Sequence, residues 1–219
     1  MNNLKPKTQA GFTIIELMIA ISILSIILLI TTVVLMNVGA LYAKGVNIDT
    51  VQNDNRNIIQ NIATSIQYSG VQMTGSSTTQ FNSIPMSAVC FGDVRFSYVV
   101  GFYNTPHTLW KDVMDGQGSC EPLNLDASNP SCSGVQGCLA SVAGSGSELV
   151  GPHMHLTIMN IQQEPFSNSL YNIQVGLVYG SKDLFVTNKN GDYVCKTSSG
   201  QQFCATSTLS TVAMERVNQ

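Results

Sequence analysis

The chain has 219 residues, of which 44% are hydrophobic and only 11% are Asp, Glu, Lys or Arg, with a net charge of −3. Soluble globular domains carry about 25% charged residues, so a disordered solvating chain and an ordinary charge-coated cytosolic enzyme are excluded. The slight acidic excess supplies no global basic field for nucleic acid, and the length allows one ordinary domain plus an appendage.

The appendage comes first. Residues 1–11 (MNNLKPKTQAG) are polar, with Lys5 and Lys7 and no acid. Leu17 to Met36 then runs without a charge, a proline or a glycine, about the 20 apolar residues a helix needs to cross a bilayer core. Two lysines before that run hold the N-terminus in the cytoplasm and send the bulk of the chain outward. The alternative, a secretory signal peptide cut after Val38-Gly39-Ala40, has to accommodate an apolar region far longer than such signals use.

The helical pattern continues past Met36. Ile48, Val51, Ile58, Ile62 and Ile66 form one apolar stripe among Asn, Gln and Asp, the pattern of a water-exposed helix with one face to bury. Gly39 and Gly45 predict a loosening of the helix, and Tyr68-Ser69-Gly70 followed by Thr74-Gly75-Ser76-Ser77 supplies the stop. A helix from Phe12 to Ser69 would be roughly 87 Å long at about 1.5 Å per residue.

The remainder reads as β. Val94, Phe96, Tyr98, Val100 and Phe102 alternate with Arg95, Ser97, Val99, Gly101 and Tyr103, the period of a strand. Met154 to Ile161 is a second candidate and the alternation of Tyr171, Ile173, Val175, Leu177 and Tyr179 a third. Leu184-Phe185-Val186, Asn190-Gly191 and Tyr193-Val194-Cys195 predict a hairpin, because Asn-Gly accepts the positive φ angles of a type I′ turn. A last strand falls within Phe203 to Met214, and 115–122 and 128–147 read as loop. The predicted class is α+β: a long N-terminal helix packed on an antiparallel sheet.

Gly11-Phe12-Thr13-Ile14-Ile15-Glu16-Leu17-Met18, after a short lysine-bearing leader and opening the long apolar helix, closely resembles the class III signal of type IV prepilins and type II secretion pseudopilins. The resemblance covers residues 1 to about 36, with a similar helix style to about 70. It implies cleavage between Gly11 and Phe12 by a prepilin peptidase, N-methylation of the new Phe12 amine, and assembly with other pilin or pseudopilin subunits on an inner-membrane platform. The lipid bilayer holds the helix before assembly, and the pilus after it. The implied division is a leader over 1–11, a transmembrane and filament-core helix over 12–36, an amphipathic continuation over 37–70, and a β-rich globular domain over 71–219. The stretch from Val51 to Gly70 is similar to the helix of W-type minor pilins and J-type minor pseudopilins. Major pilins commonly carry a proline in the membrane half, where this chain has Val33, and that departure favours a minor or initiating subunit.

Glu16 has a physical reading beside the resemblance. An acid within a membrane segment costs about 2.5–3.5 kcal/mol on insertion scales, which makes it a functional residue by default. Cleavage would create a cation at Phe12, since a free amine stays protonated near neutral pH. Glu16 would then pair with the Phe12 amine of a neighbouring subunit. Pairing within the subunit, or an acid merely tolerated at the membrane edge, are the alternatives. Glycine at position 11 lets a protease take the backbone in extended form.

All six cysteines lie beyond the apolar run, which suggests an oxidised, non-cytoplasmic domain rather than free core thiols. Six cysteines allow fifteen connectivities. Pilins often close a C-terminal disulfide loop, and Cys195 with Cys204 would make one. Cys132 with Cys138 would close a Gly-rich loop and leave Cys90 with Cys120. No cofactor is expected. His153-x-His155 would set two imidazoles on one strand face with His107 or Glu164 as a third ligand, but no metal-site spacing supports it. Asp112, Asp115, Glu121 and Asp126 lack an EF-hand pattern and read as a solvated acidic loop. Lys182, Lys189 and Lys196 recur around the hairpin, yet residues 45–219 hold seven basic and twelve acidic side chains, so there is no strong nucleic-acid signal. Trp110 and Phe185 read as core. No nucleophile motif or phosphate loop is present. The chain is therefore expected to be a non-enzymatic minor pilin, with a type II secretion minor pseudopilin as the near alternative. A membrane-tethered exported enzyme is the distant one.

Overall fold

The computed structural model describes residues 11–70, 73–103, 105, 107–114, 119–125, 146–167, 169–188, 193–196 and 201–216. A single helix, α1, runs over Ile14–Ser69, continuous through Gly39 and Gly45, so the predicted loosening there does not occur. No atom comes within 4 Å of a Cβ built at either glycine. The helix ends where Gly70 turns to a φ of +64°, the left-handed cap that glycine adopts without a Cβ penalty. Two compact units divide the chain, residues 1–42 and 43–219.

In the first unit every described residue of the apolar run is exposed. Among the described residues of the second, ten strands follow the helix: β1 (Met73–Phe81), β2 (Ile84–Phe91), β3 (Val94–Val99), β4 (Leu109–Val113), β5 (Ser147–Glu148), β6 (Met154–Gln163), β7 (Leu170–Tyr179), β8 (Phe185–Thr187), β9 (Tyr193–Cys195) and β10 (Ala205–Met214). They form an antiparallel five-stranded sheet in the order β1-β2-β3-β4-β5, a three-stranded sheet β10-β7-β6 and the hairpin β8-β9. The architecture is α+β and pilin-like: a long N-terminal helix packed on antiparallel sheets.

One core joins these layers. Val51, Ile58, Ile59, Ile62 and Ile66 of α1 pack with Val89, Phe91 and Phe96 of the larger sheet and with Leu156, Tyr171, Ile173, Val175 and Leu177 of the smaller one. Tyr171 fastens the seam: its ring meets Phe91 edge-on at 5.8 Å, and its hydroxyl accepts the Met73 N–H at 3.0 Å. Asn55, on the same stripe and fully buried, donates through Nδ2 to the Val175 and Ser207 carbonyls and to the Ser207 hydroxyl, each at 3.1 Å.

The strand predicted through Phe102 stops at Val99, because Gly101 adopts a φ of +113°. Nor does β3 have a solvent face: Arg95, Ser97 and Val99 are buried along with Phe96. The segment 119–125 covers that second face. Leu123 and Leu125 pack on Met86 and Val99, the Leu123 N–H donates to Ser97 Oγ at 3.0 Å, and Cys120 is bonded to Cys90 of β2.

Candidate functional site

Thr13 is the last residue before α1, and its carbonyl accepts the first helical hydrogen bond, from Leu17 N at 3.2 Å. Its hydroxyl oxygen accepts the Glu16 N–H at 3.3 Å, while Glu16 Oε2 accepts the Thr13 N–H at 3.0 Å and the Thr13 hydroxyl at 2.9 Å. Threonine and glutamate at this spacing make a capping box, which satisfies donors that the first turn leaves open. Thr13-Ile14-Ile15-Glu16 is itself this signature, so the acid that the sequence presents as needing a cation also has a local role. Glu16 Oε1 has no partner among the described residues. Gly11 and Phe12 lie just outside the helix and are exposed.

Beyond Glu16 the helix carries no charge before Lys44. Its hydroxyls are satisfied internally: Ser22 donates to Met18 O at 2.8 Å, Ser25 to Ile21 O at 2.7 Å, Thr31 to Ile27 and Leu28 O at 3.0 Å, and Thr32 to Leu28 O at 2.8 Å. Such back-bonding leaves no hydroxyl in need of water, the condition lipid imposes on a spanning helix. The helix is long and apolar enough to cross a membrane.

The remaining candidates fall in separate places. Cys195 and Cys204 are bonded across the end of the β8-β9 hairpin, with a sequence separation of 9; Cys132 and Cys138 lie outside the described residues. His107 lies two residues before β4, where Nδ1 sits 3.2 Å from Glu148 Oε2 of β5 and the ring meets Trp110 edge-on at 5.0 Å. Glu148, which sequence reasoning overlooked, accepts the N–H groups of Leu109 at 2.9 Å and of Thr108 and Val150 at 3.3 Å. Burial still pushes its carboxyl above the usual range, outweighing those donors and the nearby imidazole.

His153 and His155 do not share a strand face: His153 sits in the turn before β6 with a φ of +63°, and only His155 is on the strand. Both line a cleft of about 420 Å³ with Tyr179, Gly180, Ser181, Leu184 and Phe203. Burial, and then the neighbouring His153, lower the His155 pKa from its ordinary 6.5. Glu164 lies beyond the far end of β6, so these ligands do not converge. No group of three or more His, Cys, Asp or Glu among the described residues is placed to hold a metal.

Asp112 does not belong to a solvated acidic loop. It is buried in β4 and paired with Arg95, whose Nη1 also donates to the Glu121 carbonyl at 2.9 Å. Asp115 and Asp126 lie outside the described residues, as do Lys189 and the Asn190-Gly191 turn. Lys182 is exposed, and the Lys196 ammonium donates to the Asp183 carbonyl. Phe185 is buried and Trp110 packs at the edge of the second core cluster.

Residues 6–32 match the family described as the prokaryotic N-terminal methylation motif. No curated protein and no solved structure matches the chain. The motif supports a chain of the pilin or pseudopilin class, and implies processing by a prepilin peptidase and assembly with other pilin-type subunits. With the apolar helix it fits a membrane-anchored protein whose C-terminal domain is exported.

Proposed function

We propose that the chain is a structural subunit of a type IV pilus, a minor pilin with no reaction of its own. The observation that carries this reading is the methylation motif on a lipid-length apolar helix whose one early acid caps its own first turn. On this reading residues 1–11 are a leader removed at Gly11–Phe12 and Phe12 becomes the methylated N-terminus. Residues 12–36 pass from the bilayer into the filament core, 37–70 continue as an amphipathic helix, and 71–219 form the outer surface. Glu16 Oε2 remains in the cap and Oε1 takes the Phe12 amine of the neighbouring subunit, a contact that removes two unpaired charges from an apolar core. Valine at position 33 supports a minor rather than an abundant kinked subunit.

The test is N-terminal analysis of the mature chain together with fractionation. A start at methyl-Phe12 and recovery in filaments sheared from the cell surface are expected. An intact Met1, or a start at Leu41, overturns the filament reading. A methylated chain confined to the envelope assigns it to a secretion pseudopilus instead.

A further inference from the structure

The β6–β7 hairpin carries two unusual features at opposite ends. At its tip, Phe166 follows Pro165 and is fully exposed, at 100%. The turn that presents it is closed by a hydrogen bond from Ser167 N to Glu164 O at 3.1 Å, so the ring is held outward on an ordered support. At the base, the cleft of about 420 Å³ lies between the start of β6, the end of β7 and the turn before β10. Its walls are the rings of His153, His155, Tyr179 and Phe203 with Leu184 and Ser181, and among the described residues no carboxylate or ammonium lines it. That volume is within the range of about 300–1,000 Å³ that proteins use for small-ligand sites.

We infer that Phe166 of one copy inserts into this cleft of a second copy, making a head-to-tail contact wherever two copies of this chain are neighbours. The inference rests on the filament reading above. Aromatic rings prefer edge-on or offset partners, which four rings around one opening provide. Charges agree as well: Glu164 stands two residues before the inserted ring, the exposed Lys182 follows the cleft residue Ser181, and the exposed Asp183 beside it is offset by the Lys196 ammonium, which donates to its carbonyl. The cleft is preformed. A Cβ on Gly180 would fall 2.6 Å from the Phe203 carbonyl, so only glycine, at its φ of +121°, lets that wall approach. Cys204, next to Phe203, is anchored to Cys195.

Knob and cleft are different surfaces at the two ends of ten-residue strands. A contact between them is heterologous: it propagates along the strand direction and does not close into a two-fold dimer. Two adjacent copies suffice to form it.

The experiment places p-benzoylphenylalanine at position 166 of the full chain in its native cell and irradiates both sheared filaments and whole membranes. The expected product is a two-copy adduct whose second peptide contains His153, His155 or Phe203. Phe203→Ala should lower its yield at least tenfold. Glu164→Lys should also lower it, and adding Lys182→Glu should restore it. Absence of a 166-to-cleft adduct in both fractions overturns the docking, as does capture of another surface of this chain or of a different protein. Wild-type chain missing from sheared filaments instead overturns the filament reading, and the membrane fraction still decides the docking.

Discussion

Arg95 and Asp112 face each other across β3 and β4 with two parallel hydrogen bonds, Nε to Oδ1 at 3.1 Å and Nη2 to Oδ2 at 2.6 Å, both residues almost wholly withdrawn from solvent. The pair lies beneath the 119–125 segment, whose Glu121 carbonyl takes a third guanidinium hydrogen bond. It is what a buried charge requires: a fork-shaped donor matched to a carboxylate, with a further proton satisfied by backbone.

Removing one partner strands the other. Asp112→Ala should destabilise the β domain by about 3–5 kcal/mol, whereas Arg95→Met with Asp112→Leu should recover most of that loss. Trp110, the single tryptophan and a β4 neighbour of Asp112, makes fluorescence-detected urea unfolding of the detergent-solubilised chain a direct measure.

Glu16 offers a separation of roles. Glutamine at the same position of a capping box still accepts the Thr13 N–H through its side-chain oxygen, but it cannot neutralise an amine. Glu16→Gln should therefore keep membrane insertion and helix content while losing filament incorporation, as Glu16→Ala should. Wild-type incorporation of Glu16→Gln, with loss only in Glu16→Ala, would assign the residue to capping alone. Immunoblots of membrane and sheared fractions read both outcomes.

His155 makes stability depend on pH with a known sign. Its folded pKa lies below the ordinary 6.5, so between those two values the unfolded chain binds more protons than the folded one. Stability from this group is therefore lost as pH falls below 6.5. Glu148, raised above 4.5 by burial, acts in the opposite direction, gaining stability as pH falls toward 4.5. The difference in melting temperature between wild type and His155→Gln at pH 7.5, 6.5 and 5.5 isolates the histidine, and it should narrow or reverse toward acid.

Cys195 and Cys204 enclose a short loop, and replacing both with alanine should cost about 2–3 kcal/mol by chain entropy. Because Cys204 adjoins Phe203, hydrogen exchange should quicken at the start of β10 before it does in β7.

Asn55 bridges α1 to β7 and β10, and its Oδ1 has no partner among the described residues. Asn55→Asp would set a carboxylate against the Val175 and Ser207 carbonyls in the core. A loss of more than about 3 kcal/mol is expected, against a smaller loss for Asn55→Ala, in the same urea titration.

The helix and the three-stranded sheet were legible because each buries one face, so hydrophobic spacing reports structure directly. The isoleucine stripe and the alternation through Tyr171 and Tyr179 are examples. The β1–β2 hairpin was not legible: its turn is Asn82-Ser83, with φ angles of +47° and +65°, and serine carries little of the signal that Asn-Gly would. Neither was the burial of Arg95 and Ser97, since a face covered by an irregular segment shows no periodicity. The same holds for Asn55, a polar residue within an apolar stripe, and for Glu148, whose partners are mostly backbone. At the N-terminus the reverse applied. Local spacing contains the capping box, but an acid at the head of an apolar run points equally to a distant cation, and the two readings share the same residue.

The self-contained hydrogen bonding of the first helix bears on the energetics of assembly. Ser22, Ser25, Thr31 and Thr32 keep their partners within their own backbone, so exchanging lipid for protein around this helix breaks none of these bonds. Between two apolar surroundings the hydrophobic effect is also nearly balanced, which leaves packing and the pairing proposed for Glu16 to set the direction. On the filament reading proposed above, the cost of moving this helix between lipid and protein is therefore set by contacts made at its surface and not by hydrogen bonds broken within it.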